Sequence, residues 1–246
     1  ETIFDHLLRV APTPEEYARR GDLAEGERRS AVLIEHRYEC GYGAHAPMET
    51  HTAIAKMEGG KVTVWTSTQT PFPSQQQIAQ ALGFAPENVR VITPFVGGGF
   101  GGKTAGLQAV EAAKLAKITG KPVQVCFSRA EEFFYDTFRP AAVVKIKSGI
   151  DSAGKMCLWE YHVYFAGSRS AEQFYDVPHN LMRVYGQWGR DPSRAHPFAT
   201  GPWRAPGANI NVFARESHID TMAAYAKMDP LEFRLKNTAD PRMRRV

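Results

Sequence analysis

Residues 89–120 read VRVITPFVGGGFGGKTAGLQAVEAAKLAKITG, and this stretch decides the fold. Val89, Val91 and Ile92 are strand formers, and Val96 runs straight into the glycines. The alanine-rich stretch that follows carries Leu107, Val110, Leu115 and Ile118 without an internal proline, the pattern of a helix, and Gly120 is placed to end it. A strand therefore feeds a glycine loop, and the loop opens a helix. Glycines at 97, 98, 99, 101 and 102 strip side chains from the loop around Phe100, so that backbone N–H groups can approach an anionic ligand. The same residues satisfy both G-x-x-x-x-G-K-[ST], ending at Lys103 and Thr104, and G-x-G-x-x-G. A run this rich in glycine matches such patterns cheaply. It is equally consistent with a turn that only lets strand and helix pack closely.

The totals narrow the class. The chain has 246 residues, room for one large domain or two small ones, with 43% hydrophobic and 23% charged residues, as in a globular protein. The net charge of +4 is mild, and apart from Arg242, Arg244 and Arg245 the cations are scattered, which argues against a nucleic-acid surface. No apolar run reaches transmembrane length and no signal peptide opens the sequence, so neither a membrane partner nor export is expected; a cytoplasmic location is, with the periplasm left open. Cys40, Cys126 and Cys157 are too few and too far apart for a disulfide framework or a zinc or iron–sulfur site, and are expected to be buried small hydrophobes. None of the eight histidines falls into a metal-ligand spacing. An opening Glu1 in place of methionine suggests a piece of something longer or a processed product.

Along the chain, residues 1–30 are polar and read as a linker or docking arm with little core of its own, apart from a short helix TPEEYARRG capped by Thr13 and closed by Gly21. Strands are expected at 31–38, at 51–57 and 61–68 around the Gly59-Gly60 turn, at 122–128, and at 141–148 and 155–165 around SGIDSAG. Ser74 with Gln77 predicts a helix over SQQQIAQAL. Residues 166–208 read as largely irregular with short strands. A long helix follows over 209–228, with Val212, Ile219, Met222, Ala223 and Ala226 on one face, then a second helix opened by Asp229 and Pro230. Hairpins mixed with helices give an α+β class of mixed sheets and packed helices, with residues 31–246 as the domain. A P-loop protein should also show an apolar strand ending in a magnesium-binding Asp, and a dinucleotide fold an acid after the next strand. VVKIKSGID and PVQVCFSRAEEF fit both badly, which leaves the P-loop nucleotide-binding reading as an alternative only.

Five stretches in order resemble the molybdenum-binding part of the xanthine dehydrogenase and aldehyde oxidase family: HAPMETHTAIA (45–55), VWTSTQTPF (64–72), PFVGGGFGGK (94–103), WRAPGANINVFARESHID (203–220) and MDPLEFRLKN (228–237). The resemblance implies a molybdopterin cofactor with molybdenum, in a dinucleotide form. It places Gln69 where the family has an amide that hydrogen-bonds an oxygen ligand of the metal. Phe100 and Gly101, with Gly98 and Gly99 before them, fall where backbone lies against the metal centre, and Arg204 matches the arginine of the R-[GA]-x-G motif. No side chain here is implied as a direct metal ligand, because in this family the pterin dithiolene holds the metal.

The resemblance also marks departures. Thr104 stands where the purine-oxidising members carry a substrate-binding glutamate, and Pro206 where they carry a phenylalanine that stacks on the purine. Both face the substrate in the family, and both changes argue against a xanthine dehydrogenase proper and favour an aldehyde or another N-heterocycle hydroxylated with water-derived oxygen. The family's base glutamate belongs to a second molybdopterin-binding region that is expected to lie outside this chain, so Glu49, Glu131 and Glu216 are read as structural and no catalytic residue is assigned. Iron–sulfur clusters, and possibly FAD, are implied on other segments or subunits. A scaffold that keeps the fold without turnover is the remaining alternative.

Overall fold

The computed structural model describes residues 1–189 and 195–245. In chain order the elements are α1 (Ile3–Arg9), β1 (Glu15–Arg20), α2 (Leu23–Arg29), β2 (Val32–Cys40), β3 (Thr52–Glu58), β4 (Lys61–Thr66), α3 (Pro71–Leu82), β5 (Val89–Ile92), α4 (Leu107–Thr119), β6 (Val123–Cys126), α5 (Arg129–Tyr135), β7 (Ala142–Ile150), β8 (Met156–Tyr164), β9 (His179–Tyr185), α6 (Ala208–Tyr225) and α7 (Pro230–Lys236). The α+β class is as expected. The division is not a 1–30 arm followed by a 31–246 domain: one compact unit comprises 1–43, 139–200 and 205–246, and a second comprises 44–138 and 201–204.

The first unit is a five-stranded sheet in the order β1-β9-β8-β7-β2. Alternation along β8 sends Trp159, Tyr161 and Val163 into a core with Ile210, Ala214, Met222 and Ala223 of α6 and Phe233 of α7. The apolar face of α6 is rotated from the expected one, since Ile210 and Ala214 are buried and Val212 is partly exposed. Within this core His218 accepts or donates at both ring nitrogens, to the Tyr38 hydroxyl at 3.0 Å and the Ser148 hydroxyl at 2.7 Å. Burial, and next the neighbouring His36, push its pKa down to about 3 from 6.5, so the ring is neutral at ordinary pH.

Residues 1–30 require a correction. Glu15–Arg20 is a strand, not the helix that Thr13 and Glu16 suggested, because it pairs antiparallel with β9 at the sheet edge, Glu15 opposite Val184 and Arg20 opposite Asn180. That partner lies more than 150 residues away, and the edge strand buries too little to show an apolar alternation, so local helix propensity is overridden by tertiary pairing. The arm also contributes core: α1, opened by a capping box between Thr2 and Asp5, buries Leu7 fully beside Ala141 and Phe165.

The second unit is a four-stranded sheet in the order β5-β4-β3-β6. β3 and β4 form the expected hairpin, and β5 returns parallel to β4 after the α3 crossover, with Trp65 opposite Ile92. Helix α3 begins at Pro71, three residues ahead of the Ser74 start, because Pro71 fits the first turn. The Ser74 hydroxyl instead lies 3.1 Å from that of Thr68. Helix α4 packs on the sheet through Ala109, Ala112, Ala113 and Ala116, all fully buried, while Leu107, Leu115 and Ile118 are exposed. Its small residues, at i, i+3, i+4 and i+7, let the helix sit close to the strands. Of the cysteines only Cys157 is buried; Cys126 is exposed, against expectation. Among the described residues no helix is long and apolar enough to cross a membrane.

Two measurements test this description. Leu7→Ala should lower unfolding free energy by about 2–5 kcal/mol in urea titrations, the cost of emptying a core site; an arm without core would lose almost nothing. Because unfolding frees His218 to take up a proton near pH 6.5 that the folded ring refuses until about pH 3, its contribution to stability should fall as pH drops through that window.

Candidate functional site

Strands β4 and β5 run parallel, so the segments leaving their C-terminal ends emerge at one edge of the second unit's sheet. Gln69 lies three residues beyond β4, and the glycine loop follows β5. The two are joined directly: Gln69 N–H donates to the Lys103 carbonyl at 2.8 Å, and Gly101 N–H donates to Gln69 Oε1 at 2.9 Å. The second bond fixes the amide's orientation. With its oxygen turned to Gly101, its Nε2 donors face away and meet no acceptor among the described residues, and the side chain is exposed.

Arg204 arrives from a four-residue segment, Gly201–Arg204, tied into this unit by its backbone and by Trp203. Gly201 N–H donates to the Phe138 carbonyl at 3.0 Å, Trp203 Nε1–H to the Ala44 carbonyl at 3.1 Å, and Arg204 N–H to the Phe100 carbonyl at 2.8 Å. The exposed Arg204 guanidinium lies 5.9 Å from the Phe100 ring centre and makes no ion pair among the described residues. Phe100 itself has φ +53°, a backbone state uncommon for a side-chain-bearing residue, and is partly exposed. Gln69, Phe100, Gly101 and Arg204 are thus brought together in one hydrogen-bonded group. The N–H groups of Gly98, Gly99 and Phe100 meet no acceptor among the described residues.

The glycines serve the protein's own packing as well. At Gly101, with φ +114°, an added Cβ would overlap the Pro202 carbonyl oxygen; at Gly102 it would meet the His45 ring at 2.8 Å and Asp136 Oδ2 at 2.7 Å. The close-packing reading therefore holds at these two positions. Thr104 is fastened rather than presented: its hydroxyl donates to the Gly101 carbonyl at 2.8 Å. Pro206 lies in the first unit, just before Gly207 and helix α6.

Lys103 corrects the nucleotide alternative. Its side chain is 0% exposed, and Nζ lies 2.7 Å from Glu49 Oε2, which also accepts from Gly97 N–H at 2.7 Å. A phosphate-binding lysine must reach outward; this one is buried and spent on an ion pair with the half-buried Glu49 at the base of the loop. Burial by itself would raise the Glu49 pKa, but the Lys103 ammonium and the Gly97 N–H outweigh it and hold the carboxyl below the usual range. Glu49 thus ties the start of the glycine loop to its lysine.

The sequence reading missed the histidines beneath the loop. His45 Nδ1 lies 2.7 Å from Asp136 Oδ2 and its Nε2 lies 2.8 Å from the Pro202 carbonyl. His51 Nδ1 lies 3.0 Å from Glu132 Oε1, and its Nε2 lies 3.3 Å from the Gly102 carbonyl. The available signal was the spacing of Glu132 and Asp136, four apart at the end of α5 and so on one face, with both histidines inside HAPMETH.

Comparison with known proteins identifies the family. The family model for the molybdopterin cofactor-binding domain matches residues 10–238. The chain belongs to that family. Among its relatives is the aldehyde oxidoreductase molybdenum-binding subunit PaoC of Escherichia coli O157:H7, 31% identical over 99% of this chain and 35% of that protein. Another is a nicotinate dehydrogenase chain of Pseudomonas putida, 24% identical over 91% of this chain and 20% of that protein. Among solved structures, quinoline 2-oxidoreductase from Pseudomonas putida 86 superposes with a TM-score of 0.79 at 24% identity, covering 94% of this chain and 31% of that one. Aldehyde oxidoreductase from Desulfovibrio gigas gives 0.76 at 23% identity, covering 94% and 26%. Both are likenesses of fold. The chain spans about a third of the length of the curated relatives it matches first, at 35% and 30%.

For this molybdopterin-binding family member, replacing Lys103 by Met should lower stability by about 1–3 kcal/mol, the cost of an unpaired partner at the loop base. Calorimetric titration of the parent chain with magnesium ATP should give no binding heat; saturable binding lost in K103M would restore the nucleotide reading.

Proposed function

We propose that the chain forms one wall of a molybdopterin site in an oxidoreductase that hydroxylates an aldehyde or an N-heterocycle. The supporting observation is the donor set. Gln69 Nε2 is turned outward by the Gly101 bond, three loop N–H groups lack acceptors among the described residues, and the Arg204 guanidinium is without a carboxylate there. All are donors, as a large anionic cofactor requires, so the residues present fit such a group.

In this reading Gln69 donates to an oxygen of the bound group, Gly98, Gly99 and Phe100 offer backbone donors, and Arg204 supplies positive charge beside the Phe100 ring. When bound, the molybdenum–pterin group supplies hydroxylation of carbon with oxygen derived from water. Thr104 and Pro206 stand at the positions where, by the family resemblance, purine-oxidising members hold their substrate. Neither offers the carboxylate or aromatic plate that a purine would use, and the Thr104 hydroxyl is already engaged with Gly101. The relatives' names include aldehyde and nicotinate oxidation alongside hypoxanthine and xanthine oxidation, so they support the family's chemistry, and the choice of substrate class rests on Thr104 and Pro206. A second molybdopterin-binding region supplies the base glutamate and the rest of the cavity, the cofactor is the dinucleotide form, and iron–sulfur and flavin segments or subunits carry the electrons away. Several relatives are named as subunits, which supports partners of that kind.

In the complete enzyme, Gln69→Ala should lower turnover with an aldehyde or quinoline-type substrate roughly 10–100-fold, as removal of an outer-shell partner does, while leaving the melting temperature nearly unchanged. The 246-residue chain purified alone should carry far less than one molybdenum per chain by mass spectrometry of the metal, because a half-built cavity leaves the ligand wet. Unchanged turnover in Q69A, or stoichiometric molybdenum in the isolated chain, would overturn the reading.

A further inference from the structure

The segment Gly201–Arg204 reaches the second unit from elsewhere in the chain. Backbone and indole hydrogen bonds tie it to Phe138, Ala44 and Phe100. The bond at Pro202 is different in kind. The Pro202 carbonyl accepts from His45 Nε2 at 2.8 Å, and the opposite ring nitrogen faces Asp136 Oδ2 at 2.7 Å. Both ring nitrogens therefore face acceptors, and only an imidazole protonated at both satisfies them. The same ring underlies the glycine loop at Gly102, and the carbonyl it holds is the one against which Gly101 is packed. One side chain thus meets both backbone segments that carry the proposed cofactor donors.

We propose that His45, as an imidazolium paired with Asp136, is a positioning residue that clamps Arg204 and the glycine loop in the donor arrangement, and that losing the ring proton releases the clamp. The inference rests on the cofactor reading above. It adds a control on that site from beneath it. Asp136 is itself held in place, its other oxygen accepting from Thr137 N–H at 2.7 Å. The charged groups facing the ring are Asp136 directly and Glu132 on α5, the latter paired with His51, whose Nε2 faces the Gly102 carbonyl. Nearby at the loop base, Lys103 is neutralised by Glu49. Burial alone would push the His45 pKa down, but the Asp136 hydrogen bond, then the Pro202 carbonyl and the two carboxylate charges, outweigh it and raise it above the ordinary histidine value. The sign follows: the clamp is fully present below the unfolded histidine value and is lost as pH rises through the elevated one.

The test uses the chain itself, labelled with nitrogen-15. Long-range proton–nitrogen correlation should find both His45 ring nitrogens protonated at neutral pH, titrating above an ordinary histidine. The Arg204 and Gly101 amide signals should follow the same curve. Asp136→Asn should move that midpoint to lower pH and carry the two amide signals with it. His45→Phe should abolish the coupled titration, and because that variant can fail to fold, the D136N shift decides independently. A His45 ring protonated at one nitrogen only at neutral pH, or Arg204 and Gly101 signals flat through its titration, would overturn the proposal, even if H45F lowered the melting temperature. Absence of molybdenum from the complete enzyme would remove the cofactor reading alone; coupled signals in the chain would still support the clamp.

Discussion

The parallel pairing of β4 with β5 is the constraint on which the site depends. Antiparallel neighbours would send their C-terminal ends to opposite edges of the sheet, and Gln69 would leave the strands far from the glycine loop. With Val62 beside Val89 and Trp65 beside Ile92, both chains exit together. Three residues beyond β4 and nine beyond β5 then suffice to bring the Gly101 N–H onto Gln69 Oε1. The crossover that makes parallel pairing possible is α3, and its buried Ile78, Ala79 and Leu82 join the alanine face of α4 in one small core over the sheet.

Polar groups carry the next level of organisation. A glycine-rich loop has almost no side chains with which to hold its own shape, and its backbone entropy is high. Here the shape is imposed from below by two buried imidazole–carboxylate pairs and by a buried lysine paired with the half-buried Glu49. Polar groups removed from water are costly unless matched, and three of these partners also bond loop or 201–204 backbone: His45 at the Pro202 carbonyl, His51 at the Gly102 carbonyl and Glu49 at the Gly97 N–H.

Much of this was legible from sequence. The hairpins, α4 with its closing Gly120, the Asp229 cap of α7, and the grouping of Gln69, Phe100 and Arg204 follow from local periodicity, from capping chemistry and from the family resemblance. What escaped notice was non-local. Strand β1 is built from residues with helical preference and owes its form to β9. Lys103 in a G-x-x-x-x-G-K-T frame looked available for phosphate, and only the position of Glu49, 54 residues earlier, reveals it as consumed. His45 and Asp136, separated by 91 residues, carry no spacing that marks them as a pair. Patterns within a turn or two of chain are readable; partnerships across the fold are not.

The short passage of residues 201–204 through the second unit has a bearing on how the protein is made. The sheet, both long helices of that unit and the glycine loop are all encoded before residue 139, yet the Arg204 guanidinium and the carbonyl that meets His45 are not. On a ribosome, the loop must wait while some sixty further residues, most of them belonging to the other unit, are synthesised. Until then the His45 ring has its carboxylate but no carbonyl, and the donor surface is unfinished. Closure of this backbone group around His45 is in this way deferred until translation has passed Arg204.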